Sequence, residues 1–142
     1  MPSRARRKPT EGELAILRVL WERGPSTVRG VVEELSRERR AGYTTVLKFL
    51  QIMTEKGLVR RDEARRTHVY EAAISADRTK RQFVRDLIDQ LFAGSAPQLV
   101  FQALSAKKAS PAELAEIRSV LDELEHKGRD GVHQSKATDG HR

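Results

Sequence analysis

Apolar residues recur at intervals of three and four in the first part of the chain, which predicts three amphipathic helices. The apolar sides of these helices would pack together and close one small core. The predicted core residues are Leu14, Leu17, Trp21, Val28, Val32, Leu35, Val46, Leu50 and Met53.

Local signals predict where these helices begin and end. Thr10 and Glu13 form a capping box before the first helix, which ends at Gly24 and Pro25. Thr27, preceded by a serine, caps the second helix, and the charged residues 36–40 end it. The third helix begins near residue 44 and stops at residue 57, a glycine.

The spacing of apolar residues then changes to about two, which indicates strands. Residues 58–61 and 67–71 are predicted to form two short strands around the charged loop 62–66. Three short helices followed by a β-hairpin is the order of a winged helix-turn-helix. In that fold the third helix enters the major groove of DNA, and the hairpin, or wing, reaches the adjacent backbone. The predicted fold class is therefore mainly α, with an N-terminal winged helix.

Helical spacing resumes at residues 78–92 and again around residues 99–104, and a second capping box, Ser110 with Glu113, opens a last helix. Short helices of this kind can hardly bury their own apolar stripes, so we expect a C-terminal helical region that forms a homodimer. The predicted dimerisation residues are Val84, Leu87, Ile88, Leu91, Leu114, Ile117, Leu121 and Leu124.

Charge is distributed unevenly along the 142 residues, which include 27 basic and 20 acidic side chains for a formal net charge of +7. The first eight residues carry four basic side chains and no acidic one, whereas the part after residue 75 is close to neutral. This balance suits a polyanionic partner in the N-terminal half. We expect a disordered basic arm (1–8), a DNA-binding winged helix (9–75), a dimerisation domain (76–126) and a disordered tail (127–142).

The composition excludes several functional classes. The chain has no cysteine, which rules out disulfides, thiolate metal sites and cysteine nucleophiles. Its four histidines lack metal-ligand spacing, and we find neither a nucleophile motif nor a phosphate-binding glycine-rich loop. We therefore expect no enzyme activity, no metal and no cofactor. The absence of a signal-peptide pattern and of a membrane-length apolar run favours a cytoplasmic protein.

Double-stranded DNA is the partner that this pattern favours, because the third helix and the wing carry side chains able to bond base edges or phosphates. The second and third helices also lack acidic residues in their first turns, which leaves their N-termini open to phosphate. The alternatives are that Thr44 only caps its own helix and that the wing arginines are only solvated. The candidate DNA-binding residues are Arg40, Tyr43, Thr44, Thr45, Lys48, Gln51, Arg60, Arg61, Arg65, Arg66 and His68.

Five segments of the chain resemble the BlaI/MecI penicillinase-repressor family over about residues 9–125. They are E-L-A-I-L-R-V-L-W (13–21), T-V-R-G-V-V-E-E-L (27–35), Y-T-T-V-L-K-F-L-Q-I-M-T-E-K-G-L-V (43–59), H-V-Y-E-A (68–72) and S-P-A-E-L-A-E-I-R-S-V-L (110–121). The resemblance implies a homodimeric repressor of β-lactam-resistance-type or related stress genes. In this family the winged helix binds a palindromic operator and the C-terminal helices hold the dimer together.

The resemblance also implies a membrane-bound metalloprotease sensor that ends repression by cutting the repressor at an Asn-Phe bond. This chain has Gln102 and Ala103 at that place, which puts cleavage at this bond in doubt. The related copper-responsive CopY repressors sense metal through C-terminal cysteines, and this mode is excluded because the chain has none.

A second function remains open at the level of sequence. A winged helix can also serve as a protein-interaction module, or bind RNA or DNA without operator specificity. Specific operator binding survives excess competitor DNA, whereas a nonspecific polyanion binder is titrated away. An enzyme is a distant third interpretation.

Overall fold

The computed structural model describes residues 8–37, 40–64 and 66–139, with side chains up to Arg129. The chain divides into two compact units, one that ends at Ala93 and one that begins at Gly94. The elements of the first unit are α1 (Glu11–Arg23), β1 (Ser26–Thr27), α2 (Val28–Leu35), α3 (Tyr43–Lys56), β2 (Val59–Asp62), β3 (Val69–Ala72) and α4 (Ala76–Leu91). The second unit contains α5 (Ala96–Ala106) and α6 (Pro111–Asp139).

Capping residues fix the starts of the first two helices. Thr10 Oγ1 accepts a hydrogen bond from the backbone N–H of Glu13 at 3.3 Å, and Glu13 Oε1 accepts one from the N–H of Thr10 at 2.9 Å. The predicted capping box is thus confirmed. Thr27 Oγ1 accepts from the N–H of Gly30 at 3.1 Å and begins α2. Gly57 ends α3 with φ at +79°, a left-handed conformation that favours glycine.

One hydrophobic core lies between α1, α2, α3 and the strands. Of the predicted core residues, Trp21 and Val32 are half-buried against this core, and Leu14 is half-buried outside it. The other predicted residues, all buried, are Leu17, Val28, Leu35, Val46, Leu50 and Met53. The core also contains residues that were not among the predicted core residues, namely Ile16, Val19, Leu20, Val31, Leu58, Val59 and Tyr70.

An ion pair between a buried glutamate and a half-buried lysine joins the start of α1 to the end of α3. Glu13 is only 2% exposed, and its Oε2 atom accepts a hydrogen bond from Lys56 Nζ at 2.8 Å. Burial works to raise the pKa of Glu13, but the hydrogen bonds from Lys56 and Thr10 and the charge of Lys56 outweigh it. The pKa of Glu13 therefore lies below its ordinary value. Because a buried carboxylate needs its partners, the pair constrains how α3 sits against α1.

The sheet has three antiparallel strands in the order β1-β3-β2. β2 and β3 form the predicted hairpin, with Val59 opposite Ala72, and each strand begins one or two residues later than predicted. β1 pairs with the other edge of β3, where Ser26 lies opposite Tyr70. This third strand was not predicted, because two polar residues carry no periodic signal.

Trp21 links α1 to the segment that follows the wing. Its indole Nε1 donates a hydrogen bond to the carbonyl oxygen of Ile74 at 3.0 Å, and its ring packs against the core. The bond fixes the chain where β3 leads into α4, and so helps to hold the wing in place.

The predicted domain boundary lies between residues 75 and 76, whereas in the structure the first unit extends to Ala93 and includes α4. Lys8, which the sequence placed in a disordered arm, contacts α4. Its Nζ atom lies 3.0 Å from Asp86 Oδ2 and 5.1 Å from the centre of the Phe83 ring. The net charge of a segment does not reveal contacts between residues that are this far apart in the sequence. The rest of the predicted arm, residues 1–7, lies outside the described residues.

The second unit begins each of its helices with a serine cap. Ser95 Oγ accepts from the N–H of Gln98 at 3.3 Å, and Ser110 and Glu113 form the predicted capping box. α6 then continues to Asp139, so the expectation of a disordered tail from residue 127 is corrected for 127–139. This stretch contains no proline that would interrupt the helix.

Candidate nucleic-acid interface

The side of α3 that faces away from the core is polar and exposed. Val46, Leu50 and Met53 define the buried side of this helix. On a helix with 3.6 residues per turn, the opposite side carries the four candidate residues of the third helix. They are Thr44, Thr45, Lys48 and Gln51, and all four are exposed. The structure therefore brings these predicted residues together on one face.

The N-terminus of α3 is open to an anion. Gly42 occupies the N-cap and has no side chain with which to cap it, and the first turn contains no acidic residue. Thr44 lies inside the first turn, so the alternative in which Thr44 caps the helix is wrong. The helix begins earlier than predicted because glycine is itself an accepted N-cap residue. Free backbone N–H groups and the positive end of the helix dipole stabilise phosphate at such a position.

Arg40 and Tyr43 flank this open N-terminus. Tyr43 is the first residue of α3 and is 51% exposed. Arg40, three residues earlier, is also exposed. Both side chains are of types that contact sugar or phosphate, and both are accessible to it.

Two of the wing arginines are already paired with acidic side chains. Arg60 Nε lies 3.1 Å from Glu71 Oε1 across the two strands, and Arg61 bonds to Glu63. The bond to Glu63 is the main cause that raises the pKa of Arg61 above its ordinary value. Exposed ion pairs are screened by solvent and contribute little to stability, so a phosphate can compete for either arginine.

The other described wing candidates are also exposed. Arg66 and His68 are exposed and form no ion pair with another residue that the structure describes. Arg65 lies outside the described residues. Arg66 is thus the described wing cation best placed to meet a phosphate without losing an existing partner.

Ile52 shares the exposed face of α3 but was missing from the predicted site. Its side chain is 38% exposed. Sequence reasoning treats an aliphatic residue in an amphipathic helix as core by default. A helical wheel could have identified Ile52 as a surface residue, because it places Ile52 about 120° from Val46, at the edge of the polar face.

The predicted dimerisation residues leave much apolar surface uncovered in the single chain. Leu91 is 70% exposed and Leu124 is 59% exposed. Val84, Leu87 and Leu121 are also exposed, whereas Ile88, Leu114 and Ile117 are half-buried. Further exposed apolar residues that were not predicted are Val100, Phe101, Leu104 and Val120.

Within the part of the chain that the structure describes, no helix combines the length and apolarity needed to cross a bilayer. Among the same residues, no group of three or more histidine, aspartate or glutamate side chains is arranged to hold a metal ion.

The family model described as "Penicillinase repressor" matches residues 9–123, which is most of the chain. The chain belongs to the penicillinase repressor family. It is therefore a transcriptional repressor with a DNA-binding winged helix, and not an enzyme.

The chain is similar to the transcriptional regulator BlaI of two strains of Mycobacterium tuberculosis. The identity is 32% over 114 residues, which cover 80% of this chain and 82% of the relative. Among solved structures, it is similar to the monomeric form of Bacillus licheniformis BlaI in complex with the blaP half-operator. That similarity has 22% identity and a TM-score of 0.44, and covers 50% of this chain and 87% of that one.

Several residues of the family-like motifs hold the repressor's fold rather than meet DNA. Glu13 and Trp21 begin and end the first motif, and Lys56 lies near the end of the third. Glu13 is buried and pairs with Lys56, and Trp21 bonds to the chain after the wing. These three motif residues therefore belong to the frame that positions α3.

Proposed function

We propose that this penicillinase repressor binds a palindromic operator as a homodimer and represses the genes beside it. The observation that carries the proposal is the exposed polar face of α3, next to an uncapped helix N-terminus. In a two-fold dimer, two such helices would meet successive major grooves about 34–36 Å apart, which is why the operator would be a palindrome.

The candidate residues divide by chemistry into two groups with different tasks. Lys48 and Gln51 carry long side chains that can bond base edges, and Thr44 and Thr45 can reach either bases or phosphates. Arg40, Tyr43, His68 and the wing arginines, including Arg60, Arg61, Arg65 and Arg66, would bind the backbone. Backbone contacts set affinity and position, whereas base contacts set the sequence that is recognised.

The exposed apolar residues of α4, α5 and α6 support the dimer. Each of the two units exposes several large apolar side chains, and clusters of exposed apolar side chains mark surfaces that bind a partner. A second copy of the chain presents the same residues, so a two-fold contact would cover both sets at once.

Selection of duplexes from a random library by the full-length protein tests the proposal. We expect enrichment of one palindromic sequence, and binding to it that persists in excess competitor DNA. Equal retention of all duplexes would contradict operator specificity. Such a result would favour the alternative of a general polyanion or protein-interaction module.

We further propose that a membrane-bound metalloprotease sensor relieves repression by cutting outside the usual bond. Gln102 and Ala103, which replace the Asn-Phe pair, lie inside α5. Residues 92–95 and 107–110 are the non-helical segments on either side of that helix, and proteases prefer exposed, extended backbone.

Immunoblotting before and after induction tests this mode of relief. A fragment of about 90–110 residues is the expected product. A full-length band throughout induction would show release without cleavage, and a cut between Gln102 and Ala103 would show that the missing Asn-Phe pair does not matter.

A further inference from the structure

Large exposed hydrophobic side chains are unevenly distributed along the repressor. Among the large hydrophobic residues described up to residue 83, only Tyr43 and Ile52 are exposed, and both lie on α3. The other exposed large hydrophobic residues begin at Val84 and lie on α4, α5 and α6. The winged helix otherwise covers its large apolar side chains, and Ile52 is the exposed aliphatic residue on the helix that would meet DNA.

Ile52 belongs to the same face of α3 as the candidate base-contacting residues. It follows Lys48 by one turn and Thr45 by two turns. At about 100° per residue, its direction differs from theirs by about 40° and 20° around the helix axis. A ligand that approaches Thr45 and Lys48 therefore also meets Ile52.

The position of Ile52 is held firmly by its neighbours. Leu50 and Met53 are fully buried, which fixes the backbone on either side. Isoleucine is also branched at Cβ, and this restricts χ1. The exposed methyl groups are therefore presented in a defined direction rather than by a mobile chain.

An aliphatic side chain has no hydrogen-bond donor or acceptor, so it gains nothing from a phosphate or a polar base edge. The 5-methyl group of thymine is the apolar feature of the major groove. We propose that Ile52 contacts a thymine methyl group in each operator half-site and so determines sequence specificity. The inference rests on the proposed operator binding by α3.

Removal of single methyl groups from the DNA tests the proposal. The full-length protein is titrated against the selected palindromic duplex, with each thymine replaced in turn by deoxyuridine. For one thymine per half-site we expect binding to weaken about fourfold, as for the loss of one buried methyl group. The Ile52→Ala protein should bind the unmodified duplex more weakly and should no longer respond to deoxyuridine at that thymine.

Two controls separate this contact from a general loss of structure. Ile52→Val keeps two methyl groups and should keep part of the response to deoxyuridine. Deoxyuridine outside the selected sequence should have no effect on either protein. Thermal unfolding of Ile52→Ala should match that of the wild type, because the side chain is partly exposed.

The outcomes distinguish the inference from the function on which it rests. If a palindrome is selected but no thymine responds in an Ile52-dependent way, the role of Ile52 is overturned and operator binding stands. If no sequence is selected, operator binding fails and the role of Ile52 fails with it.

Discussion

Individual residues of α1 and α3 divide between two tasks. Glu13 is buried and pairs with the half-buried Lys56, whereas Lys48 and Gln51 are exposed on the side of α3 that faces away from the core. Substitutions of the first pair should change stability, and substitutions of the second should change DNA binding.

Lys56→Met should destabilise the protein by about 1–3 kcal/mol, because it leaves the carboxylate of Glu13 buried without its cation. Urea unfolding of the full chain at neutral pH measures the change. Lys80→Met is the matched control, because Lys80 is exposed on α4, and its change should stay within about 0.5 kcal/mol. Equal losses of stability for the two variants would contradict a structural role for the pair.

Stability should fall in acid partly through Glu13. Its folded pKa lies below the ordinary value of 4.5, so its contribution is fully present above pH 4.5 and is lost as the pH falls through the lowered value. Unfolding free energies between about pH 3 and 7 measure this dependence, because carboxylates titrate in the lower part of that range. Glu13→Gln should flatten the plot of unfolding free energy against pH in this window. An unchanged slope would contradict a contribution from Glu13.

Lys48→Ala should weaken operator binding by about 1–3 kcal/mol and relax the base preference, as expected when a good base contact is removed. Titration of the selected duplex and its single-base variants measures both effects. Lys108→Ala removes an exposed lysine from the second unit and should leave the base preference intact. If the Lys48→Ala protein keeps the base preference of the wild type, Lys48 contacts the DNA backbone instead of a base.

At the scale of helices and strands, elements with local signals were predicted and those made by distant contacts were not. Thr10, Thr27 and Gly57 mark helix ends through neighbours within a few residues. β1 exists only because Ser26 and Thr27 meet β3, more than forty residues later. The same holds within the candidate site: the face of α3 follows from helical periodicity, whereas the pairing of Arg60 with Glu71 depends on strand register.

The wing should act on affinity rather than on sequence preference. Arg65→Ala combined with Arg66→Ala should weaken binding to all duplexes alike, because phosphates are the same at every base pair. Each phosphate that the variant no longer neutralises should reduce the slope of log K against log salt concentration by about 0.9. Anisotropy titrations at several salt concentrations measure the slope. A wing variant with altered sequence preference would reverse the roles assigned to wing and helix.

At the scale of the whole molecule, the proposed function depends on two copies held together. Replacement of both Leu121 and Leu124 by Asp should give monomers, because the two exposed leucines of α6 would no longer offer an apolar contact. Operator binding should weaken when the dimer is lost, since each winged helix would bind its half-site alone. Light scattering at micromolar concentration measures the mass. A monomeric wild-type protein would contradict the dimer.

Operator recognition by the exposed face of α3 is the central claim. Its most direct test is a competition titration of the full-length protein with the selected duplex and a scrambled duplex of the same composition at physiological salt. The selected duplex should bind at least about 10³-fold more tightly, as specific DNA-binding proteins do. Equal affinities for the two duplexes would contradict the claim.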